Sequence, residues 1–307
     1  MKLTHMLSEP LVYIIILNYN GYKDTIECIH SLKDIDYKNY KIVVVDNNSV
    51  DNSIEKIKNT FNEIVVLNTG INLGYAGGNN YGIKYALENK ANYICVINND
   101  VIVDRNFLKP LVDYMENNKN VGIVGPAVCE YYDKNIVQST GAKINLAKGN
   151  VPLINYGEKY SNITKSKVIE CDYISGACLL FRKDLVNEIG YIPESYFLFY
   201  EETEWCLKVK RRGYKVVCLP NSKIYHKGSA SVNNISGLSE YFMFRNRVVF
   251  VKRNANIIQK IYFYNYLFLQ FLYWSIFKRK KIYIFNYYLH GFFNKIDKKY
   301  SFCYIKK

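Results

Sequence analysis

The N-terminal third of the chain repeats one pattern four times: a short apolar run that ends in polar or glycine-rich residues. The runs are residues 11–17 (LVYIIIL), 41–45 (KIVVV), 63–67 (EIVVL) and 93–97 (YICVI). Apolar runs of this kind are typical of parallel strands covered on both faces. They are separated by segments with helical spacing, at residues 23–33, 53–61 and 78–89. Strands and helices that alternate across short connections predict an α/β fold, a doubly wound, mostly parallel sheet.

The second half of the chain is less regular. Its apolar runs predict strands at residues 121–128, 168–173, 178–181 and 215–219, the last of which we expect Pro220 to end. Helices are predicted at residues 202–212 and 238–254. A chain of 307 residues is long enough for one large domain and an appendage. We therefore predict one α/β domain over residues 1–254 and a helical C-terminal region over residues 255–307.

The C-terminal region carries most of the positive charge. From Lys252 to the end, the chain has twelve Lys and Arg residues and one acidic residue, a net +11 of its +14. Residues 257–277 form a long aromatic and apolar stretch with one charged residue, Lys260, and a basic run at residues 278–281 follows. This pattern predicts a helix in the interface of an anionic membrane and no nucleic-acid partner. A buried core helix is the competing interpretation, and a bilayer span is the least favoured.

Cysteine usage and the N-terminus bear on the cellular compartment. The eight cysteines include no C-x-x-C pair and five lie inside apolar or periodic segments, so we expect them to be reduced and buried. No signal peptide is evident, because the first apolar run is short and follows Glu9 and Pro10. These features favour a cytoplasmic protein located at the inner face of the cell membrane.

Polar residues follow each of the four predicted strands. They are Asn18-Tyr19-Asn20-Gly21, Asp46-Asn47-Asn48-Ser49, the segment from Asn72 to Asn80, and Asn98-Asn99-Asp100. Ligands of doubly wound sheets bind beyond the carboxyl ends of the strands. Any one of these residues is explained equally well as a helix cap or turn residue, but their recurrence at consecutive strand ends indicates a ligand site. The glycines do not form G-x-G-x-x-G, which counts against a nicotinamide-dependent oxidoreductase, the alternative function for such a sheet.

Four segments of the N-terminal part together resemble glycosyltransferase family 2, whose fold is called GT-A. They are VYIIILNYNG, IVVVDNNSVDNS, NTGINLGYAGGNNYGI and ICVINNDV. The second half agrees through YISGACLLFRKDLVNEIG, FLFYEETEWCLKVKRRGYKV, IYHKGSAS and YFMFRNRVVFVKRN, in that order. The resemblance covers residues 11–254. The EETEWCLK element is similar to that of the rhamnosyltransferase-like branch of the family.

The resemblance implies an inverting, metal-dependent transfer of a sugar from a nucleotide-diphosphate donor. The donor would be a UDP- or dTDP-sugar, with dTDP-rhamnose among the candidates, and the acceptor a glycan or lipid-linked glycan of cell-envelope polysaccharide synthesis. A divalent Mg²⁺ or Mn²⁺ neutralises the leaving diphosphate in such enzymes. The family's Asp-x-Asp motif falls on Asn98, Asn99 and Asp100, so its first carboxylate is replaced by an amide. Asp100 and His226 are the expected metal ligands, although a lone histidine such as His226 is more often a packed or surface residue.

The resemblance also assigns the base and the donor site. Glu202 matches the family's catalytic base and Glu201 is the second choice, although acids here also suit the first turn of a helix. Adjacent acids raise one another's pKa, which suits a base. The expected donor-binding residues are Asn18, Tyr19, Asp46, Asn48, Gly74, Asn80, Asn98 and Asn99, with Asp46 accepting a base N–H and Tyr19 stacking on that base. Lys227, Arg245 and Arg247 are expected near phosphate.

Overall fold

The structure is a computed structural model that describes residues 9–164, 167–228, 237–278 and 281–303, with side chains to residue 300. Arg279 and Lys280 of the predicted basic run, like the segment 229–236, lie outside the described residues. The predicted alternation of strands and helices is confirmed. The seven cysteines whose side chains are described are all buried and free of disulfides.

The strands of the structure agree with most of the predicted runs. They are β1 (Val12–Asn18), β2 (Tyr40–Asp46), β3 (Val65–Asn68), β4 (Tyr93–Asn98), β5 (Val101–Val103), β6 (Val121–Glu130), β7 (Val137–Ser139), β8 (Ile169–Cys171), β9 (Cys178–Arg182) and β10 (Lys215–His226). The helices are α1 (Tyr22–Lys33), α2 (Ser53–Thr60), α3 (Gly74–Glu88), α4 (Leu108–Asn117), α5 (Tyr160–Ile163), α6 (Lys183–Ile189), α7 (Glu201–Arg211), α8 (Leu238–Asn254), α9 (Ile257–Phe277) and α10 (Ile284–Phe292). Two short 3₁₀ helices cover Glu194–Tyr196 and Lys298–Cys303.

The ten strands of the described residues belong to one sheet. Its main path runs in the order β3-β2-β1-β4-β9-β6-β10-β5, with β7 paired to β6 and β8 to β10. The first four strands pair in parallel. Beyond β4 the sheet is mixed, because β9 runs antiparallel to both β4 and β6 whereas β6 and β10 are parallel. The predicted parallel arrangement therefore describes the N-terminal half, and both directions occur in the other half.

Helices cover both faces of this sheet. Alternate residues of β1 point to opposite sides, with Ile14 and Ile16 in one buried cluster and Tyr13 and Ile15 in the other. Residues of α1, α2 and α4 complete the first cluster, and residues of α3, α6 and α7 complete the second. Burial on both faces explains why the strands read as continuous apolar runs rather than as alternating patterns.

Two predicted boundaries differ from the structure. α3 begins at Gly74 instead of residue 78, so the glycines form its first turn rather than a loop. A Cβ on Gly78 would collide with the side chain of Leu17, so these glycines let the helix approach β1 closely. β10 does not end at Pro220: its register on β6 shifts between Leu219 and Lys223, and the strand continues to His226. The proline is tolerated because it lies in this irregularity.

The C-terminal helices pack on α8. Phe263, Leu267 and Trp274 of α9 join residues of α8 and α10 in one buried cluster. The remaining face of α9 is exposed and apolar, and we call it the outer face of α9: Ile257, Ile258, Ile261, Tyr262, Phe268, Leu269, Leu272, Tyr273, Ile276 and Phe277. Within the described parts of the chain, no helix is both long and apolar enough to cross a membrane. The helix is therefore anchored along one stripe while most of its apolar surface stays uncovered.

A buried carboxylate joins α7 to α8. Both oxygens of Glu204 accept hydrogen bonds from Arg253, at 2.8 and 2.9 Å, and Asn254 donates to the same carboxylate at 2.9 Å. The Tyr196 hydroxyl also donates to it. Burial alone would raise the pKa of Glu204, but these donors outweigh burial and lower the pKa to about 2. Glu204 thus stays ionised and fixes α7 against α8.

We predict that Glu204→Ala lowers the free energy of unfolding by about 3 kcal/mol, the lower end for a broken buried ion pair, because Arg253 is half-exposed and can be rehydrated. In the wild type, the contribution of Glu204 is complete above its ordinary pKa of 4.5 and is lost as the pH falls towards 2. Urea unfolding at several pH values measures both effects. Glu63→Ala, which breaks the exposed pair with Lys33, is the control and should change little.

Candidate functional site

A cavity of about 320 Å³ opens at the carboxyl ends of β1 and β4. From β1 the chain proceeds to β2 and β3 on one side, and it returns as β4 on the other side. This divergence is the topological switch point at which doubly wound sheets bind their ligands. The polar side chains of the wall are Tyr19, Asn47, Asn72, Tyr75, Asn98, Asn99, Asp100, Tyr173, Ser175, Glu201, Glu202 and His226. Its apolar side chains are Leu17, Ala177, Phe197, Leu198, Phe199 and Leu238.

The pairing of β5 with β10 brings the side chains of Asp100 and His226 together in this cavity. β5 pairs antiparallel with β10 so that His226 lies opposite Val101, the residue after Asp100. The backbone N–H of Lys227 donates to the Asp100 carbonyl at 3.0 Å and closes the pair. His226 Nε2 consequently lies 3.2 Å from Asp100 Oδ1. Both predicted metal ligands therefore share one wall of the cavity.

A glutamine determines which nitrogen of His226 carries a proton. The Gln138 amide donates to the Glu130 carboxylate at 2.8 Å and to the His226 carbonyl at 2.9 Å. Its oxygen must then face His226 Nδ1, 2.9 Å away, so Nδ1 carries the proton. Nε2 is buried, and within the described residues it has no hydrogen-bond partner. A lone pair facing a carboxylate oxygen is the arrangement that a bound cation satisfies.

Glu201 and Glu202 are the first two residues of α7, and both line the cavity. The Tyr173 hydroxyl donates a hydrogen bond to Glu202 Oε1 at 3.1 Å. The Oε2 atoms of both glutamates are buried, and the described part of the chain offers them no hydrogen-bond partner. Burial raises the pKa of both carboxyls, and the neighbouring charge of Glu202 raises that of Glu201 further. Glu202 is the more accessible of the two, whereas Glu201 is 1% exposed.

The segment before α7 has an unusual backbone. Phe197, Phe199 and Tyr200 have φ angles of 70°, 65° and 75°, in the left-handed region that L residues rarely adopt. Each such residue costs on the order of 1–3 kcal/mol and persists only where its surroundings impose it. The Tyr75 N–H donates to the Phe197 carbonyl at 3.0 Å. A Cβ on Gly74 would lie 2.5 Å from that carbonyl oxygen, so only glycine allows this approach.

The structure divides the predicted donor-binding residues into two groups. Tyr19, Gly74, Asn98 and Asn99 line the cavity together with Asp100, His226, Glu201 and Glu202. Asn18, Asp46, Asn48 and Asn80 do not belong to the cavity wall. Asn18 donates to Asp46 Oδ1 at 2.7 Å, and Asp46 Oδ2 accepts the Ser49 N–H at 2.9 Å.

The other two residues of the second group have different surroundings. Asn48 is exposed in a left-handed turn, with a φ angle of 66°. Asn80 bonds the Ile192 carbonyl and the Glu194 carboxylate at 2.8 and 2.9 Å, which fixes the segment between α6 and α7. A donor role for these four residues stays a prediction.

Several cavity residues were not identified from the sequence. Asn47 is a buried residue of the cavity wall, and its amide donates to the Asn72 side chain and the Gly74 carbonyl, each at 3.0 Å. Tyr75 and Tyr173 flank the glutamates. Asn47, Asn72 and Tyr75 belong to the polar strand ends already singled out, so that signal would have found them. Tyr173 has no such signal, because it enters the site from the loop after β8.

The three expected phosphate cations have other partners. Lys227 bonds the carboxylates of Asp24 and Glu27 at 2.7 and 2.5 Å. Arg247 donates to the Lys148 carbonyl, and Arg245 is 2% exposed and bonds backbone and amide oxygens. None of these three cations belongs to the wall of the cavity in the described structure. The prediction that they meet phosphate therefore has no support in their contacts.

The chain is similar in sequence to known glycosyltransferases. Residues 13–190 match the family model described as glycosyl transferase family 2. The chain is 28% identical over 258 residues to the dTDP-rhamnosyl transferase RfbF of Shigella flexneri, covering 79% of this chain and 80% of the relative. It is 26% identical over 236 residues to the low-salt glycan biosynthesis hexosyltransferase Agl10 of Haloferax volcanii, covering 76% of this chain and 73% of the relative.

A similar fold occurs in solved structures. The crystal structure of GalNAc-T7 with UDP, GalNAc and Mn²⁺ superposes with a TM-score of 0.65 and 16% identity. The match covers 84% of this chain, which spans half the length of that protein. The GT-A fold expected from the sequence is therefore confirmed, and the helical C-terminal region is present beside it.

Proposed function

This chain belongs to glycosyltransferase family 2, and on that premise we propose that it is an inverting, divalent-metal-dependent transferase of a sugar from a UDP- or dTDP-sugar to a glycan or lipid-linked acceptor. RfbF, a dTDP-rhamnosyl transferase by name, makes dTDP-rhamnose the first donor to test. A role in cell-envelope polysaccharide synthesis is part of the proposal. The family assignment replaces the nicotinamide-dependent alternative.

One observation carries the proposal. A single cavity at the switch point contains the Asp100–His226 pair and the Glu201–Glu202 pair. A transferase needs both, because negative charge grows on the leaving diphosphate while a proton leaves the attacking hydroxyl. Tyr19 and the amides of Asn98 and Asn99 provide a stacking surface and hydrogen-bonding groups for a donor in the same cavity.

The residues of the chain suggest how the transfer proceeds. Glu202 accepts the proton of the acceptor hydroxyl while that oxygen forms a bond to the anomeric carbon. The bond from this carbon to the diphosphate breaks on the opposite face, so the configuration inverts and the nucleoside diphosphate leaves with the electron pair. Burial raises the pKa of Glu202, and the Tyr173 hydroxyl moderates that rise by bonding the ionised form. Tyr173 therefore helps to keep Glu202 ionised and oriented.

Asp100 and His226 fit a divalent cation. A carboxylate oxygen and an imidazole nitrogen, 3.2 Å apart, are both ligands that Mn²⁺ accepts. A cation bound there would offset charge on the leaving diphosphate. The described residues contain no cluster of three or more His, Cys, Asp or Glu side chains suited to a metal, so these two would be the protein's contribution to the site. Asn98, which replaces the first acid of the family motif, makes the site less anionic.

We also propose that the outer face of α9 docks on an anionic membrane. Ten large apolar side chains are exposed on this one helix, and solvent-exposed patches of this kind mark interaction surfaces. Exposed Lys278 directly follows α9, and exposed Lys281 lies three residues further along the chain. Aromatic residues favour the bilayer interface, and each nearby basic residue adds roughly 1 kcal/mol of attraction to anionic lipid.

A screen of UDP-, dTDP- and GDP-sugars for hydrolysis or transfer, with Mn²⁺ or with EDTA, tests the donor and the metal. We expect a UDP- or dTDP-sugar to be consumed only with the cation. Asp100→Ala should lower turnover on the order of a hundred- to a thousandfold and weaken Mn²⁺ binding measured by calorimetry. Asp104→Ala removes the same side chain at the other end of β5, outside the cavity wall, and should retain activity. Full activity in EDTA would refute the metal proposal.

Glu202→Gln keeps the size of the side chain and removes its basicity. We expect turnover to fall on the order of a hundred- to ten-thousandfold, with nucleotide affinity retained. Glu201→Gln is the matched comparison, since it changes the neighbouring buried carboxyl in the same way. If Glu201→Gln abolishes turnover and Glu202→Gln does not, the base is Glu201.

Membrane docking is tested by substitution rather than truncation, because α10 and the residues after it pack on α8. Ile261, Phe268 and Leu272, each at least 42% exposed on α9, are changed together to Asn. We expect the wild type to float with phosphatidylglycerol vesicles, less so at high salt, and the triple variant to remain unbound. Tyr132, Leu153 and Tyr156, exposed elsewhere, are changed to Asn as the control.

Two outcomes would overturn the docking proposal. One is a failure of the flotation test, in which the wild-type protein does not bind the vesicles or the triple variant floats as well as the control. The other is a dimer of the free wild-type protein, seen by sedimentation and lost in the triple variant without any vesicle binding, which would assign the outer face of α9 to a second copy.

A further inference from the structure

We infer that Asn246 is a positioning residue that holds the segment Tyr196–Tyr200 and thereby places Glu202 at the cavity. The inference rests on the proposed function, in which Glu202 is the base. Asn246 lies on α8, is fully buried, and does not itself line the cavity. No local sequence pattern distinguishes Asn246, since an asparagine inside a helix is commonly an ordinary surface residue.

The contacts of Asn246 converge on the strained segment. Its side-chain NH₂ donates to the carbonyls of Tyr196, Leu198 and Phe199, at 3.0, 2.7 and 3.2 Å. These carbonyls belong to the same turn in which Phe197, Phe199 and Tyr200 have positive φ angles. A buried carbonyl without a donor is unfavourable, so one amide satisfies groups that this irregular backbone cannot satisfy by its own pairing.

Arg245 fixes the orientation of that amide. Its Nη1 donates to Asn246 Oδ1 at 2.5 Å, so the NH₂ of Asn246 must face the segment. Arg245 in turn donates through Nε to the Lys295 carbonyl at 2.9 Å and through Nη2 to Asn294 Oδ1 at 3.3 Å. A continuous set of hydrogen bonds thus leads from the chain after α10, through α8, to the segment that precedes α7.

The placement of this segment bears directly on the reaction. Its residues Phe197, Leu198 and Phe199 form part of the cavity wall, and α7 begins one residue after Tyr200 with Glu201 and Glu202. Any relaxation of the turn moves the wall and the carboxylate together. A displacement of about 1 Å at a reacting group costs on the order of a hundredfold in rate. Asn246 therefore acts on turnover without touching the substrate.

The test compares Asn246→Asp and Asn246→Ala with Asn254→Ala. Asp keeps the volume and the acceptor for Arg245 but removes the N–H donors. Asn254 is the matched control, because it is a buried asparagine on the same helix whose NH₂ bonds Glu204 and the Phe250 carbonyl instead. For each variant we measure kcat, its pH profile, the affinity for UDP and dTDP by calorimetry, and hydrogen–deuterium exchange of the peptide covering residues 196–202.

We expect both Asn246 variants to lose kcat by about a hundredfold, to change the acid limb of the pH profile, and to speed exchange in the 196–202 peptide, with nucleotide affinity changed less than about twofold. Asn254→Ala should lose stability and keep the kcat profile. If the Asn246 variants match Asn254→Ala in kcat and in exchange, the inference is wrong. If Asn246→Ala does not fold, the comparison is made with Asn246→Asp, which keeps the volume of the side chain. A fully active Glu202→Gln would instead refute the base assignment, whereas the exchange measurement would still test the holding of the segment.

Discussion

The divergence of β2 and β4 from the two sides of β1 is the constraint on which the site depends. β1 pairs in parallel with both neighbours, and the chain must leave its carboxyl end in one direction and return from the other. Helices cannot fill the gap between the two connections, so a cavity remains there. The side chains that end β1 and β4 reach this cavity whatever the reaction is. Chemistry is then added by elements from the mixed half of the sheet, with His226 at the end of β10 and the glutamates at the start of α7.

The first turn of α7 contains buried acids with opposite environments. Glu204 accepts hydrogen bonds from Arg253, Asn254 and Tyr196, and the pKa of its carboxyl falls to about 2. Glu202, two residues earlier, accepts a hydrogen bond from the Tyr173 hydroxyl on Oε1, its Oε2 has no partner among the described residues, and burial raises the pKa of its carboxyl. A carboxylate whose oxygens accept several hydrogen bonds stays ionised and holds the helix in place, whereas a carboxylate with few donors can take up a proton. One helix thus combines a structural acid with the proposed base because its two faces meet different neighbours.

Much of the fold was predictable because it follows from local pattern. The four N-terminal strands, α8 and the full span of α9 agree with their predicted segments to within two residues. The predicted pairs Asp100 with His226 and Glu201 with Glu202 are brought to one cavity. The path of β10 past Pro220 was not predictable, since it depends on a register shift against β6 that no local pattern encodes.

The missed features of the site have a common cause. The start of α3 at Gly74 depends on how closely Leu17 and Phe197 approach its glycines. Tyr173 and Asn246 matter through contacts with residues 29 and about 50 positions away in the chain. Sequence patterns report burial and periodicity, whereas these residues are defined by tertiary neighbours. A role of Asn18 and Asp46 in donor binding stays a prediction from the family pattern, and in the structure the Asn18 amide donates to the Asp46 carboxylate.

The C-terminal helices are joined to the segment that lines the cavity through α8. One side of α8 supplies Val248 and Val251 to the cluster shared with α9 and α10, and Asn246 on the same helix reaches the segment before α7. The predicted boundary between residues 254 and 255 therefore separates regions of different composition that share packed side chains. The inner stripe of α9, formed by Phe263, Leu267 and Trp274, is packed into this cluster, whereas its outer face is exposed. The proposed docking of the outer face of α9 on a membrane would therefore act next to α8, the helix whose Asn246 bonds the segment before α7.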